Sequence, residues 1–184
     1  EGEVVREYSN GVTIVNGHSY ADRQTENTNF AILISTSFTE PFKDPIGYGK
    51  YIATLANLLS GGIMVQRLGD LELGRRSTLE RMEKGLVSPT LKGATPGDLS
   101  FVLPYRYITD ILEMLHALDK LMPGIAARHT LLYGVEAKFY SSRLKLSSYL
   151  ETPIKNLFAI GDGAGITRSL VQASVSGVIG GREV

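Results

Sequence analysis

The sequence predicts an α/β or α+β fold: a mixed sheet with covering helices over residues 1–150, then a C-terminal strand, glycine-rich turn and helix over residues 151–184. Three observations lead there. Apolar runs of four or five residues bounded by turn residues read as strands, and two longer segments carry apolar residues at helical spacing between clear start and stop signals. With 43% apolar and 21% charged residues among 184, the chain also has enough apolar side chains for a buried core.

The elements follow in order. Glu3-Val4-Val5-Arg6-Glu7-Tyr8 and Val12-Thr13-Ile14-Val15 flank Ser9-Asn10-Gly11, and Asn-Gly readily adopts the positive φ values of a tight hairpin turn. Polar residues 16–29 lead to Phe30-Ala31-Ile32-Leu33-Ile34, a continuous apolar run expected to be a central strand covered on both faces. Asp44-Pro45 has the form of a helix N-cap followed by Pro at the first helical position. Ile52, Leu55, Ala56 and Leu59 then share a stripe that Gly61 ends. Ile63-Met64-Val65 reads as a short strand, whereas residues 68–92 show no sustained periodicity. Pro104 precedes the clearest helix, with Ile108, Ile111, Leu112, Leu115, Leu118 and Met122 on one stripe and Pro123-Gly124 closing it. Thr130-Leu131-Leu132-Tyr133 and Ala137-Lys138-Phe139-Tyr140 are expected strands, with Arg143-Leu144-Lys145-Leu146 as a third candidate.

Charge and composition exclude several functions. Nineteen basic and nineteen acidic residues cancel, so no global field draws the chain to nucleic acid or anionic lipid. The longest uncharged stretch, residues 51–66, is interrupted by Asn57 and Ser60-Gly61-Gly62 and is too short to span a bilayer. A soluble, cytoplasmic protein is expected. Without cysteine there is neither thiolate chemistry nor a Cys-ligated metal, and His18, His116 and His129 lie too far apart in sequence to suggest a metal site. The chain opens at Glu1 without an initiator Met, which reads as a piece of a larger protein.

The chemistry concentrates near the C-terminus. Leu157-Phe158-Ala159-Ile160 reads as a buried strand ending in Gly161-Asp162, followed by Gly163-Ala164-Gly165 and a helix from about Ile166. On that helix Leu170, Val171, Ser174 and Val178 share a face, while Ala173, Ser176, Gly177, Gly180 and Gly181 permit close approach. A carboxylate at the strand end accepts hydrogen bonds from hydroxyls, and a helix N-terminus favours an anion or a ligand carbonyl.

Thr152, Leu157, Phe158, Ala159, Ile160, Gly161 and Asp162 fall in register with the second FAD-binding motif of the flavoproteins that include glutathione reductase, and the segment resembles it. The longer string from Asn156 onward is similar to a narrower group, the FAD-dependent (NAD(FAD)-utilising) dehydrogenases. So are Glu3-Val4-Val5, Asn16-Gly17-His18-Ser19-Tyr20 with Arg23, Asn27, Asn29 and Ala31, Val65-Gln66-Arg67-Leu68-Gly69-Asp70 and Glu136-Ala137-Lys138-Phe139-Tyr140-Ser141. The resemblance implies FAD as cofactor, held by Gly161, Asp162, Gly163, Gly165, Ile166 and Thr167. In this scheme Asp162 meets a ribityl hydroxyl and the amides of Gly165-Ile166-Thr167 meet the flavin ring. It further implies a small-molecule substrate, with NAD(P)H as a candidate electron donor.

One departure bears on the whole reading. The family places the adenosine half of FAD with a Gly-x-Gly-x-x-Gly fingerprint after a strand. Gly47-Tyr-Gly49-Lys-Tyr-Ile lacks the third glycine, and Gly161-Asp-Gly163-Ala-Gly165 is spaced differently. The expectation is therefore a middle and C-terminal portion whose partner is an N-terminal Rossmann region, with the isolated portion retaining no FAD.

Catalytic residues are not assignable from sequence. His18, Ser19 and Arg23 are candidates for the substrate side of a flavin, and Glu136 or Tyr140 for proton transfer, although polar loops and charged strand faces are ordinarily solvated. Arg67, Arg75 and Arg76 are candidates to grip an acidic substrate or a nicotinamide phosphate, but charged loop residues ordinarily face water, and that is the expectation here. The competing reading is a non-catalytic substrate-binding or self-associating module that folds without cofactor, with two copies pairing over exposed apolar surface.

Overall fold

The computed structural model describes residues 2–139, 143–167 and 169–183. The chain divides into two compact units, Glu1–Lys138 and Phe139–Val184. Both helices and sheets are present, in line with the expected α/β class.

In the first unit, β1 (Glu3–Ser9) and β2 (Val12–His18) pair antiparallel in register from Glu3 opposite His18 to Ser9 opposite Val12. The turn is the one its sequence calls for, with Asn10 at φ 51° and Gly11 at φ 80°. Helix α1 (Pro45–Ser60) starts where Asp44 Oδ1 accepts the Gly47 amide at 2.7 Å and stops at left-handed Gly61. Its inner face is Ala53 and Ala56, small residues that let it lie close, while Leu59 at the end of the expected stripe is exposed.

Strand β3 (Met64–Arg67) is the centre of a three-stranded mixed sheet. It runs parallel to β4 (Thr95–Pro96) and antiparallel to β5 (Leu131–Gly134). Proline is tolerated in β4 because that strand lies at the sheet edge. The stretch with no legible period contains two five-residue helices, α2 (Leu68–Glu72) and α3 (Leu79–Glu83). Helix α4 (Tyr105–Asp119) buries Ile108 and Leu115 from its predicted stripe. Ala56 of α1, Met64 of β3, Leu71 of α2, Leu99, Val102 and Ile108 form the core, with Ile52, Leu112 and Leu132 packed against it.

Polar links attach the hairpin to the rest of the unit. Asn57 of α1 accepts the Thr13 amide and donates to the Thr13 carbonyl, both at 2.8 Å, and the Val15 amide donates to the Val135 carbonyl at 3.1 Å.

Several expected strands are corrected. Phe30-Ala31-Ile32-Leu33-Ile34 is not a buried strand: Phe30 is 48% and Leu33 58% exposed, and no residue of the run has a ladder partner among the described residues. The segment that follows is held by side chains instead, through Thr36 Oγ1 and the Tyr107 hydroxyl at 2.6 Å and the Phe38 ring tilted against Tyr48 at 5.1 Å. Ala137, Lys138 and Phe139 form no strand, and Tyr140 and Ser141 lie outside the described residues. Lys138 instead reaches the Glu136 carboxylate at 2.8 Å.

In the second unit Arg143-Leu144-Lys145-Leu146 also forms no strand, and the Leu144 amide donates to the Ala164 carbonyl at 3.2 Å. Leu157-Phe158-Ala159-Ile160 is reduced to one antiparallel bridge, Phe158 with Glu151, and both Leu157 and Ile160 are exposed. Left-handed residues at Leu150, Asn156 and Gly161 turn the chain on either side of the run, leaving too little straight backbone to extend the ladder. Helix α5 (Leu170–Glu183) begins four residues later than Ile166. Among the described residues no helix is long and apolar enough to cross a membrane.

Candidate functional site

The glycine-rich turn is built from local hydrogen bonds. Thr152 Oγ1 accepts the Ile154 amide at 3.1 Å and the Thr152 amide donates to the Leu157 carbonyl at 2.8 Å, closing the loop that delivers Phe158 and Ala159. Gly161 takes φ 74°, Asp162–Ala164 form one turn of 3-10 helix, and Gly165 takes φ 71°. Side chains with a Cβ rarely adopt either angle, so both glycines are required by the backbone path. A Cβ added at Gly163 would meet no atom within 4 Å, so the space over that residue is open to a ligand.

Asp162 is exposed, and one of its carboxylate oxygens, Oδ1, accepts the Thr167 hydroxyl. Its Oδ2 has no partner among the described residues and can accept from an incoming hydroxyl. The turn is held to α5 through Ser176, whose buried Oγ accepts the Gly161 amide at 2.9 Å and donates to the Ala173 carbonyl at 2.7 Å.

The amides expected to face a flavin ring are placed differently from the sequence picture. Gly165 donates its amide to the Asp162 carbonyl at 2.9 Å, and Ile166 and Thr167 precede α5 instead of opening it. Left-handed Gly165 cannot continue into a helix, and Ser169 Oγ accepts the Gln172 amide at 3.2 Å as the actual cap. The Ser169-x-x-Gln172 spacing is a capping-box signature that locates this start in the sequence. The turn and the helix terminus are thus separate features.

A second constellation lies in the first unit, around β3. Gln66 and Asp70 are fully buried, and Ser77 with them. Asp70, 1% exposed, accepts Arg75 Nε at 2.9 Å and the Ser77 hydroxyl at 2.8 Å, with Arg67 Nη1 at 3.8 Å. Gln66 Oε1 accepts the Leu99 amide at 2.8 Å, while its Nε2 donates to the Arg75 carbonyl at 2.9 Å and to Asp98 Oδ1 at 3.3 Å. Arg67 does not face water: it is 14% exposed, and its buried Nε has no hydrogen-bond partner among the described residues. Both Arg67 Nη2, at 3.2 Å, and the Leu86 amide, at 3.4 Å, point at His129 Nδ1, which must then be the accepting nitrogen and Nε2 the protonated one. Sequence periodicity did not find this hub, because its members come from β3, α2 and two loops.

The hairpin end gathers further candidates. Tyr20 donates to Glu3 Oε2 at 3.2 Å, Arg23 donates to Glu3 Oε1 at 3.1 Å, and the Arg23 guanidinium lies 3.8 Å over the Tyr20 ring. His18 meets the same ring edge-on at 4.6 Å. His18, Tyr20 and Arg23 are thus brought together, as a stacked group at the surface, with Tyr20 half-buried, around one carboxylate. His116 pairs with Glu72 at 3.1 Å on the surface of α4, a structural role. Burial raises the Tyr133 phenol above its usual 10.0, against hydrogen bonding from Thr90 that lowers it. Among the described residues no cluster of His, Asp and Glu could hold a metal ion.

Comparison with known proteins adds the family. A protein of Clostridium beijerinckii described as "Uncharacterized protein" is 29% identical over 179 residues, which cover 91% of this chain and 33% of that protein. The chain thus spans about a third of the length of the curated relative it matches. The family model for the FAD-dependent protein, C-terminal domain-like group matches residues 2–139, nearly the whole first unit, and its match ends ahead of the glycine-rich turn. This chain belongs to the FAD-dependent protein, C-terminal domain-like family.

Proposed function

We propose that the chain is part of a cytoplasmic FAD-dependent oxidoreductase acting on a small molecule, and that it supplies the substrate region and the ribityl side of the flavin site. The adenosine side would come from a dinucleotide-binding region elsewhere in a longer protein. One observation carries this reading: in a member of an FAD-dependent family, Asp162 stands exposed in a glycine-rich turn with Oδ2 available to a hydroxyl and open space over Gly163. The residues fit a hydroxylated ligand chain. Asp162 would accept a ribityl hydroxyl, Thr167 would hold that carboxylate in orientation through Oδ1, and Ser176 would keep Gly161 in place.

FAD, when bound, supplies the hydride or electron transfer, with NAD(P)H as a candidate donor. The protein's part is to position the cofactor. The full-length protein purified without added cofactor should be yellow, should release flavin on denaturation, and should lose it on Asp162→Ala. A colourless full-length protein indifferent to FAD would sink the proposal. The 184-residue chain alone should show no stoichiometric FAD binding by calorimetry.

A second reading, a self-associating module without cofactor, is favoured by the exposure of Leu170, Val171, Val175 and Val178 along α5. A concentration-dependent dimer in sedimentation, lost on Val178→Asp and unchanged by FAD, would support it over the first.

A further inference from the structure

Ser176 and Gly180 are the buried residues of α5, so this helix turns its small residues inward. Val171, Val175 and Ile179, spaced by four, then form a stripe along its side, with Val171 73% and Val175 52% exposed. Facing them is the segment that starts at Arg143, fixed by the Leu144 amide on the Ala164 carbonyl and by the Ser147 amide on the Glu151 carbonyl at 2.9 Å. The two walls flank an open groove of about 690 Å³ within the second unit, a size that suits a small organic ligand.

Its lining combines two properties. Leu146, Val171, Val175 and Ile179 are apolar, and the charged residues among the lining are Arg143 and Lys145, both cationic. Neither has an ion-pair partner among the described residues, and both line the groove. Water against an apolar wall is unfavourable, and a cation pair without a carboxylate selects for negative charge.

We propose that this groove is a binding site for a free amphipathic carboxylate, with its apolar body along Val171, Val175 and Ile179 and its head group at Arg143 and Lys145. The groove borders the candidate flavin turn, since Ile166, Thr167 and Ser176 also line it, and a titration without FAD separates the two readings. The test is calorimetric titration of the 184-residue chain, without FAD, with decanoate and with decanol, which shares the chain but not the charge.

Decanoate should bind one per chain and at least fivefold more tightly than decanol. The double variant Arg143→Gln/Lys145→Gln should abolish that preference while leaving decanol binding in place, and Val175→Asp should weaken both ligands at least tenfold. Val175 is half exposed, and a circular-dichroism spectrum checks that the variant folds; the Arg143/Lys145 variant tests the head-group assignment independently. Equal affinity for acid and alcohol, or decanoate affinity kept in the double variant, overturns the proposal. So does sedimentation showing a dimer that Val175→Asp dissociates, which would give the groove to a second copy. Capture by phosphatidylglycerol vesicles with no decanoate binding in solution overturns it in favour of a membrane surface.

Discussion

The Gly161 amide donates to Ser176 Oγ at 2.9 Å, so the residue that opens the Asp162 turn is tied to the middle of α5 fifteen residues later in the chain. Because Ser176 Oγ also donates to the Ala173 carbonyl, its hydrogen is committed and its lone pairs face the turn.

Ser176→Ala leaves the Gly161 amide without that partner. An unpaired, partly buried amide costs about 1–3 kcal/mol. Exchange of the Gly161 amide hydrogen should accelerate by roughly fivefold at the lower end of that range and more above it, read by NMR. An unchanged exchange rate would show that the bond does not hold the turn.

Asp70→Ala removes the carboxylate that Arg75, Ser77 and Arg67 surround. Breaking a buried pair from one side leaves uncompensated charge and costs about 3–5 kcal/mol. Glu80→Gln, which breaks the exposed pair with Lys84, should change stability by about 1 kcal/mol or less. Urea midpoints of the two variants, measured side by side, check the contrast.

Asn57→Ala loses three hydrogen bonds at once, two to Thr13 and one of 2.9 Å to the Gly62 carbonyl. At about 0.5–1.5 kcal/mol each, the loss is about 1.5–4.5 kcal/mol. Protection from hydrogen exchange should fall along β1 and β2 more than in α4, because Asn57 is a link from the core to the hairpin.

Asp119 accepts the Gly124 amide at 2.8 Å and the Ala126 amide at 3.0 Å. These backbone donors, the Ala126 amide foremost, hold its carboxyl below the ordinary 3.8. A pKa depressed on folding stabilises fully above 3.8 and loses that contribution as pH falls through the lower folded value. Asp119→Asn should therefore flatten the acid end of the stability profile and leave the neutral region's slope unchanged. Urea midpoints taken from neutral pH downward provide the measurement.

Legibility in the sequence followed the range of the interactions. The hairpin turn at Asn10-Gly11, the Asp44 cap, the stop at Gly61 and the α4 stripe were readable because each depends on residues within one or two turns of chain. Residues 30–34 misled for the opposite reason: apolar composition suggests a strand, but a strand needs a partner backbone, and there the ladder is missing among the described residues. The run before Gly161 failed similarly, since turns at Leu150 and Asn156 cut its pairing to one bridge. At the candidate flavin turn, Asp162 and the glycines were located by motif. Thr167 as the hydroxyl on Asp162, and Ser169 and Ser176 as cap and tether, came from geometry.

By itself the sequence determined the local backbone, namely which glycines turn, which side chains cap and where helical stripes run, together with the glycine-rich string that points to FAD. Tertiary structure alone decided that Gln66, Asp70 and Ser77 form a buried hub, that Arg67 is inside it, and that α5 faces inward with Ser176 and Gly180 while its valines stay exposed. The physical reason is that φ and ψ preferences and caps act between near neighbours. Burial and charge pairing depend on which distant segments arrive, and a residue's type states what it needs without saying what will supply it.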